Sequence, residues 1–226
     1  MEIKEAIQAR HSVRKYLDKP IETAQASSLV AAVTRINAVS GLNIQLVLEE
    51  PRAFAAGLWK YGQFSGVRNY FVMAGPKGKE TEEKVGWYGE ELVLLAQTLG
   101  LNTCWVGLTY KQIPGTFTLR AGDIVHCVIA LGYGANQGVQ HPLRPVEKFY
   151  ESPASAPVPA WFLDGMHAAL LAPTAVNQQK FKFILHEDGI VEAQALHSLL
   201  GYTQIDLGIV KYHFEQGAGS ANFRWQ

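Results

Sequence analysis

A short segment near the start of the chain crowds positive charge beside a hydroxyl group. Its polar members are Arg10, His11, Ser12, Arg14 and Lys15. Arginine presents several N–H donors in a planar fork that matches phosphate oxygens, so the segment has the chemistry of a phosphate site. Taken alone, it is more simply interpreted as a solvated basic corner, because short charge clusters usually lie on the surface.

A second polar segment follows a predicted apolar helix in the last third of the chain. It contains Pro173, Thr174, Ala175, Asn177, Gln178 and Gln179. Pro and Thr end a helix, small residues let the backbone approach a flat ligand, and the amide side chains supply neutral donors and acceptors. In isolation the simpler interpretation is an ordinary loop in which Asn177 caps a turn.

The balance of charge excludes one broad class of function. Lys plus Arg and Asp plus Glu both total 20, so the formal net charge is zero. Nucleic acid and anionic membranes require a broad basic surface, and neither is expected as a partner. Any anion site must therefore be local, built from a few cations and backbone donors.

The cysteines and the start of the chain bear on the compartment. Cys104 and Cys127 lie far apart in apolar surroundings and lack the paired spacing of a zinc site, so we expect buried free thiols and no metal. The first residues indicate an amphipathic helix rather than a signal peptide, and no apolar stretch is long enough to span a membrane. The expected compartment is the cytoplasm.

Hydrophobic periodicity predicts alternating helices and strands around one linker. Helices are expected near residues 1–10, 22–35, 86–99, 160–171 and 205–216, and strands near 43–48, 70–74, 103–108, 124–131 and 180–185. Residues 152–159 alternate Pro with small residues and form an extended linker. They divide the chain into parts covering residues 1–151 and 160–226.

The two parts share a weak internal similarity. Each has a helix, an Asn-x-Gln entering a strand, a helix with an acid, and then a Trp. The matching residues are Asn43, Gln45, Glu91 and Trp105 in the first part, and Asn177, Gln179, Asp206 and Trp225 in the second. Because the intervals differ and each match is short, chance alone could produce it.

Together the two polar segments resemble the nitroreductase family of FMN enzymes. Its opening motif reads Arg-x-Ser-x-Arg, which residues 10–14 match, and its second helix ends in a Pro-Ser-x-x-Asn-x-Gln loop. In typical members both motifs lie near the start of one subunit, and a homodimer completes each site. Here residues 37–45 lack the Pro and small hydroxyl residues of the loop, and the good copy lies at residues 173–179.

This displacement is similar to the Thermotoga-type nitroreductase subfamily, in which one chain folds as a pseudo-dimer. The resemblance implies an α+β, three-layer α-β-α fold with a central, mainly antiparallel sheet and two related but unequal halves. Residues 1–151 would form the flavin-holding half. Residues 160–226 would form a shortened, partner-like half that completes the site. A monomeric pseudo-dimer is expected, with further association left open.

The resemblance also implies which residues bind the cofactor, FMN. They are Arg10, His11, Ser12, Arg14, Val106, Gly107, Arg144, Pro173, Thr174, Ala175 and Asn177, with Lys60, Tyr61 and His141 as further candidates. The backbone at Val106 and Gly107 would lie against the flavin N5 edge, although the family's Glu is absent there. Arg144 would bind phosphate, and Arg14 would stabilise the reduced ring near N1 and O2.

Simpler roles remain open for several of these residues. Gly107 could be a turn glycine, Lys60 a solvated side chain and His141 a loop histidine. Arg68 is placed near the flavin only by a variable loop. Three acids, Asp18, Glu90 and Glu91, are expected to be helix-start or surface groups.

The implied activity is hydride transfer from NADH or NADPH, through flavin N5, to a small nitro, quinone or similar acceptor. One competent flavin site is expected per chain. Three alternatives stay open at this point: a flavin-binding protein of the same fold without turnover, a flavin-fragmenting or dehalogenating relative, and a phosphate binder without flavin.

Overall fold

The computed structural model describes residues 1–55, 64–154 and 157–226. Within these residues the chain forms five α-helices and eight strands. The helices are α1 (Ile3–Ala9), α2 (Thr23–Ser40), α3 (Lys79–Thr98), α4 (Ala160–Leu170) and α5 (Thr203–Ala218). The strands are β1 (Gln45–Val47), β2 (Asn69–Pro76), β3 (Asn102–Val106), β4 (Asp123–Gly132), β5 (Tyr150–Glu151), β6 (Phe181–Leu185), β7 (Ile190–Ala195) and β8 (Arg224–Trp225).

The first sheet has the order β1-β2-β4-β3, and all of its strand pairs are antiparallel. Its two central strands, β2 and β4, carry the apolar runs of the sequence and are mostly buried. Burial on both faces explains why these runs are continuous rather than alternating. The chain after α1 then lies along the outer edge of β3, where Val13 N donates a 3.0 Å hydrogen bond to Thr103 O.

The second sheet has the order β5-β6-β7-β8. Strands β6 and β7 form an antiparallel pair, and the two-residue strands β5 and β8 add parallel to its edges. Strand β5 precedes residues 152–159, so the chain enters the second sheet before the linker. The division into residues 1–151 and 160–226 stays a prediction.

Helices fill the space between the sheets. Helix α3 packs on the first sheet, α5 packs on β6 and β7, and the two helices pack against each other. Their contact is close because glycines face the partner backbone. A Cβ on Gly86 would overlap Ile205 O, and a Cβ on Gly208 would overlap Glu83 O. Only glycine lets the two helices approach to this distance.

The α+β class, the antiparallel sheet and all five predicted helices are confirmed. Helix α3 begins at Lys79, earlier than the predicted start near residue 86. The sequence missed this part of the helix because its first turns are polar and carry no apolar stripe. Strand β7 was missed, and β5 and β8 are too short to leave a periodic pattern. No helix among the described residues is both long enough and apolar enough to cross a membrane.

We predict that Gly208→Ala lowers the free energy of unfolding by about 1 to 3 kcal/mol, because α3 and α5 must move apart to admit the methyl group. Chemical denaturation followed by circular dichroism measures the change. Ser27→Ala, on the exposed face of α2, is the control and should stay within about 0.5 kcal/mol of the unchanged protein. A variant as stable as that control would contradict the close packing.

Candidate functional site

The N-terminal polar segment is fixed in an extended form between β3 and two loops. Tyr16 Oη donates a 2.7 Å hydrogen bond to Val13 O, and burial raises the pKa of this phenol well above its usual range. Ser65 N bonds Arg14 O on the other side of the segment. The backbone is therefore held firmly, while the side chain of Arg14 is exposed.

Arg10 does not lie on the surface. Only 4 % of the surface of Arg10 is exposed, and its Nη2 donates a 3.3 Å hydrogen bond to Leu171 O at the end of α4. Its Nε is buried and has no hydrogen-bond partner in the described part of the chain. Burial lowers the pKa of Arg10, and the nearby Glu90 opposes that shift. A guanidinium with an unused buried donor is arranged to accept an anion.

Glu90 corrects the expectation of a surface acid. It lies in the middle of α3 and is fully buried. Its Oε2 accepts a 2.9 Å hydrogen bond from Trp105 Nε1, and its Oε1 lies 2.8 Å from His213 Nε2. The same Oε1 is 3.8 Å from Arg10 Nε. Spacing on the helix was the available signal, since Glu90 is one turn from Gly86 and one turn from the buried Leu94.

The chain after β4 folds over the N-terminal segment. A Cβ on Gly138 would lie 2.8 Å from the Cβ of His11 and 3.0 Å from Ser12 O. Three residues further on, His141 Nε2 donates a 2.8 Å hydrogen bond to Leu170 O. Burial lowers the pKa of both His11 and His141; the charge of Arg10 adds to this shift, and at His141 the hydrogen bond to Leu170 O opposes it. Arg144, in the same chain segment, is exposed.

The loop of residues 173–179 is strained and incompletely hydrogen-bonded. Val176, Asn177 and Gln179 have φ of 46°, 54° and 47°, a left-handed conformation that costs energy for residues with a side chain. Asn177 Oδ1, Gln178 Oε1 and both amide atoms of Gln179 are buried without a partner among the described residues. Strain and unused polar atoms together are typical of a ligand-binding loop.

Asp206, in the first turn of α5, holds this loop in place. Its Oδ1 accepts a 2.9 Å hydrogen bond from Ala175 N, and its Oδ2 accepts one of 2.6 Å from Gln178 Nε2. Burial raises the pKa of Asp206 to about 6, against the effect of these hydrogen bonds. The other predicted loop residues, Pro173 and Thr174, are buried.

The corresponding loop of the first half is satisfied by its own neighbours. Asn37 Nδ2 donates to Ile44 O at 2.8 Å, and Ile44 N donates back to Asn37 Oδ1 at 2.8 Å. Asn43 Nδ2 bonds Asp123 Oδ2 at 3.0 Å, and Gln45 Nε2 bonds Thr118 O at 2.7 Å. These side chains perform a structural task and leave no donor aimed at a ligand.

Gly107 lies against a side chain of the second half and does not need the left-handed backbone that favours a turn glycine. Its φ is not in the left-handed region. A Cβ there would lie 2.6 Å from Tyr202 Oη, so the ring of this residue from the second half covers one side of Gly107. Val106, just before it, is buried at the end of β3. Tyr202 was not found from the sequence, where it follows Gly201 as an unremarkable loop residue.

The structure thus brings the N-terminal polar segment, the chain after β4 and the loop of residues 173–179 to one region. Hydrogen bonds join Arg10 to Leu171, His141 to Leu170, and Asn177 Nδ2 to Pro142 O at 3.4 Å. Arg68 is engaged elsewhere, in ion pairs with Asp18 and Glu49. The candidates Lys60 and Tyr61 lie outside the described residues. A cavity of about 520 Å³ opens beside Pro157, Trp161 and His186, and no predicted site residue lines it.

Comparison with known proteins identifies the family of the chain and shows its fold. Residues 2–218 match the model of the family described as "Putative TM nitroreductase". A crystal structure from Thermotoga maritima, described as a putative nitroreductase, superposes with a TM-score of 0.69 at 22% identity, covering 98% of this chain and 85% of that one. No curated protein matches the chain in sequence.

More distant structures share the fold over part of the chain. A Desulfovibrio desulfuricans protein solved in complex with FMN has a TM-score of 0.53 at 20% identity, covering 70% of this chain and 99% of that one. A Bacteroides thetaiotaomicron protein, described as a "Putative NADH dehydrogenase/NAD(P)H nitroreductase", has a TM-score of 0.52 at 20% identity, covering 65% of this chain and 95% of that one.

We predict that Asp206 makes stability depend on pH between about 4 and 6. Its pKa is raised from 3.8 to about 6, so in this window the folded state keeps a proton that the unfolded chain has lost. Stability from this group is therefore present at low pH and is lost as the pH rises. The unfolding free energy of the unchanged protein, minus that of Asp206→Asn, should fall by about 2.5 kcal/mol between pH 4 and pH 7.

Denaturant unfolding at several pH values measures this difference. Asp164→Asn, which removes an exposed carboxylate from α4, is the control for the loss of one acid. A difference between the unchanged protein and Asp206→Asn that stays constant with pH would refute the assignment.

Proposed function

Since the chain belongs to the nitroreductase family described as "Putative TM nitroreductase", it is an oxidoreductase, and we propose that it binds one FMN between its two halves. When bound, FMN supplies a ring that accepts hydride from NADH or NADPH and passes reducing equivalents to a small nitro, quinone or similar acceptor. The chain itself supplies binding, orientation and electrostatics.

One observation carries the proposal: a buried guanidinium with an unused donor at the place where the family motif binds phosphate. Arg10 Nε has no partner among the described residues, although the side chain is almost completely buried. Burying an unsatisfied charged donor is costly unless a ligand completes it. Arg14 and Arg144 bring further positive charge, and a phosphate monoester fits this set of donors.

The remaining predicted residues fit the flat, polar ring of the cofactor. The buried, unpaired amide atoms of Asn177 and Gln179 suit the donors and acceptors along one edge of an isoalloxazine ring. Pro173, Thr174 and Ala175 offer small side chains beside them. Val106 and Gly107 supply backbone groups for the N5 edge, and Arg14 supplies a cation for the reduced ring.

The proposal places one flavin in each chain. The segment that binds phosphate lies in the first half, and the strained loop lies in the second. The first-half loop around Asn37 and Asn43 already satisfies its own amide groups, which argues against a second, mirror-related site. A single chain would then suffice as a pseudo-dimer. Cys104 and Cys127 are buried free thiols, as predicted. Because free thiols are typical of a reducing compartment, we propose that the protein is cytoplasmic.

A second candidate function is flavin binding without turnover. Tyr202 lies directly on Gly107, and an aromatic ring there would restrict access of a nicotinamide or an acceptor to the N5 edge. Mixing the flavin-loaded protein with excess NADH or NADPH distinguishes the two. Rapid bleaching of the flavin absorbance supports the oxidoreductase with turnover, whereas flavin that stays oxidised supports a binding role.

The first test is the visible spectrum of the purified protein. We expect a yellow protein that releases FMN on denaturation, with one flavin for each chain. Two flavins per chain would contradict the single site. A protein that neither retains FMN nor binds added FMN would refute the proposed function.

We also predict that Arg144→Ala weakens FMN binding by about tenfold or more, because a charge-assisted hydrogen bond to phosphate contributes roughly 1.5 to 3 kcal/mol. Quenching of flavin fluorescence on titration measures the dissociation constant. Lys148→Ala removes another exposed cation from the same part of the chain and serves as the control. Equal losses in both variants would show a general effect of charge rather than a contact with phosphate.

A further inference from the structure

His213 makes two hydrogen bonds that fix the number of protons in the buried cluster. Its Nδ1 lies 3.0 Å from Ala168 O, and its Nε2 lies 2.8 Å from Glu90 Oε1. A backbone carbonyl only accepts, so Nδ1 carries a proton. In a neutral ring, Nε2 would then be an acceptor facing an ionised carboxylate, which also only accepts.

A proton must therefore lie between His213 and Glu90. Either the imidazole is cationic and the carboxylate ionised, or both groups are neutral and the carboxyl donates to Nε2. Both arrangements give this pair a net charge of zero. With Arg10, the buried cluster carries one net positive charge.

The hydrogen bonds also hold Glu90 in a position where it gives no hydrogen bond acceptor to Arg10 Nε. Glu90 Oε1 is engaged by His213 and Oε2 by Trp105 Nε1. The 3.8 Å separation between Arg10 Nε and Glu90 Oε1 is too long for a hydrogen bond. Arg10 therefore has a nearby acid but no acceptor for Nε among the described residues.

Other titratable groups around the cluster do not change this charge. Burial lowers the pKa of His11 and His141, which favours their neutral forms. Burial raises the pKa of the Cys104 thiol and of the Tyr212 phenol, which keeps both protonated. Arg14 is exposed, and its charge is accessible to solvent.

We propose that His213 is a positioning residue for the phosphate site: by sharing a proton with Glu90 it cancels the charge of that acid and holds it away from Arg10. Arg10 then stays positively charged, with its Nε donor unused, and can bind the phosphate group of the ligand. The inference rests on the proposed function, and it adds that a residue of the second half sets the charge of the site in the first half.

The test is a charge rescue between two buried positions. In His213→Gln, the amide can donate to Glu90 but brings no shared proton, so Glu90 stays ionised and the cluster becomes neutral. FMN affinity should fall on the order of tenfold. Adding Glu90→Gln to this variant removes the negative charge, restores the net positive charge, and should return the affinity to within about threefold of the unchanged protein.

Riboflavin, which lacks the phosphate, is the matched ligand control. Its dissociation constant should be the same in the unchanged protein and in both variants. The melting temperature of each variant without ligand reports structural damage. If the substitutions instead damaged the structure, the double variant would bind FMN more weakly than the single variant, and riboflavin and FMN would lose affinity together. Either result would overturn the inference.

Wild-type protein supplies a second measurement that needs no variant. The ¹⁵N resonances of His213 should show a protonated Nδ1 and an Nε2 that is protonated or strongly hydrogen-bonded, and a free, unprotonated Nε2 would refute the shared proton. If the unchanged protein binds no FMN, the proposed function fails. If it binds FMN but His213→Gln binds it equally well, only the role of His213 fails.

Discussion

The close packing of α3 against α5 is the constraint on which the rest of the site depends. Gly86 and Gly208 let the two backbones touch, and only at this distance can Glu90 on α3 reach His213 on α5. The carboxylate in turn lies beside Arg10. The packing of these two helices thereby determines the electrostatic environment of Arg10 at the end of α1.

The end of α4 provides the second connection between the halves. Helices end with carbonyl groups that lack intrahelical partners, and here Leu170 O and Leu171 O accept from His141 and Arg10. The strained loop begins immediately afterwards, at Pro173. One helix end therefore fixes the distance between the cations of the first half and the amide groups of the second, which explains why segments so far apart in sequence form one region.

The two polar segments could be singled out from the sequence because their residue types carry the chemistry locally; that they bind a flavin stays a prediction. It failed where a role depends on a partner from elsewhere. Glu90 was expected on the surface, since an acid beside another acid on a polar helix is usually solvated. The contact of Tyr202 with Gly107, and the strands β5 and β8, likewise depend on tertiary neighbours that no local pattern encodes.

The two related loops show how the same residue types acquire different roles. In the first half, Asn37 and Ile44 complete each other's hydrogen bonds, so the loop is stable without help. In the second half, three residues adopt left-handed backbone conformations and several amide atoms stay unpaired. Such a loop persists only when its surroundings hold it in place. The buried carboxylate of Asp206 does this by accepting hydrogen bonds from Ala175 N and Gln178 Nε2. Folding alone gains nothing from unpaired amides, and this is why the strained loop supports the proposed ligand site.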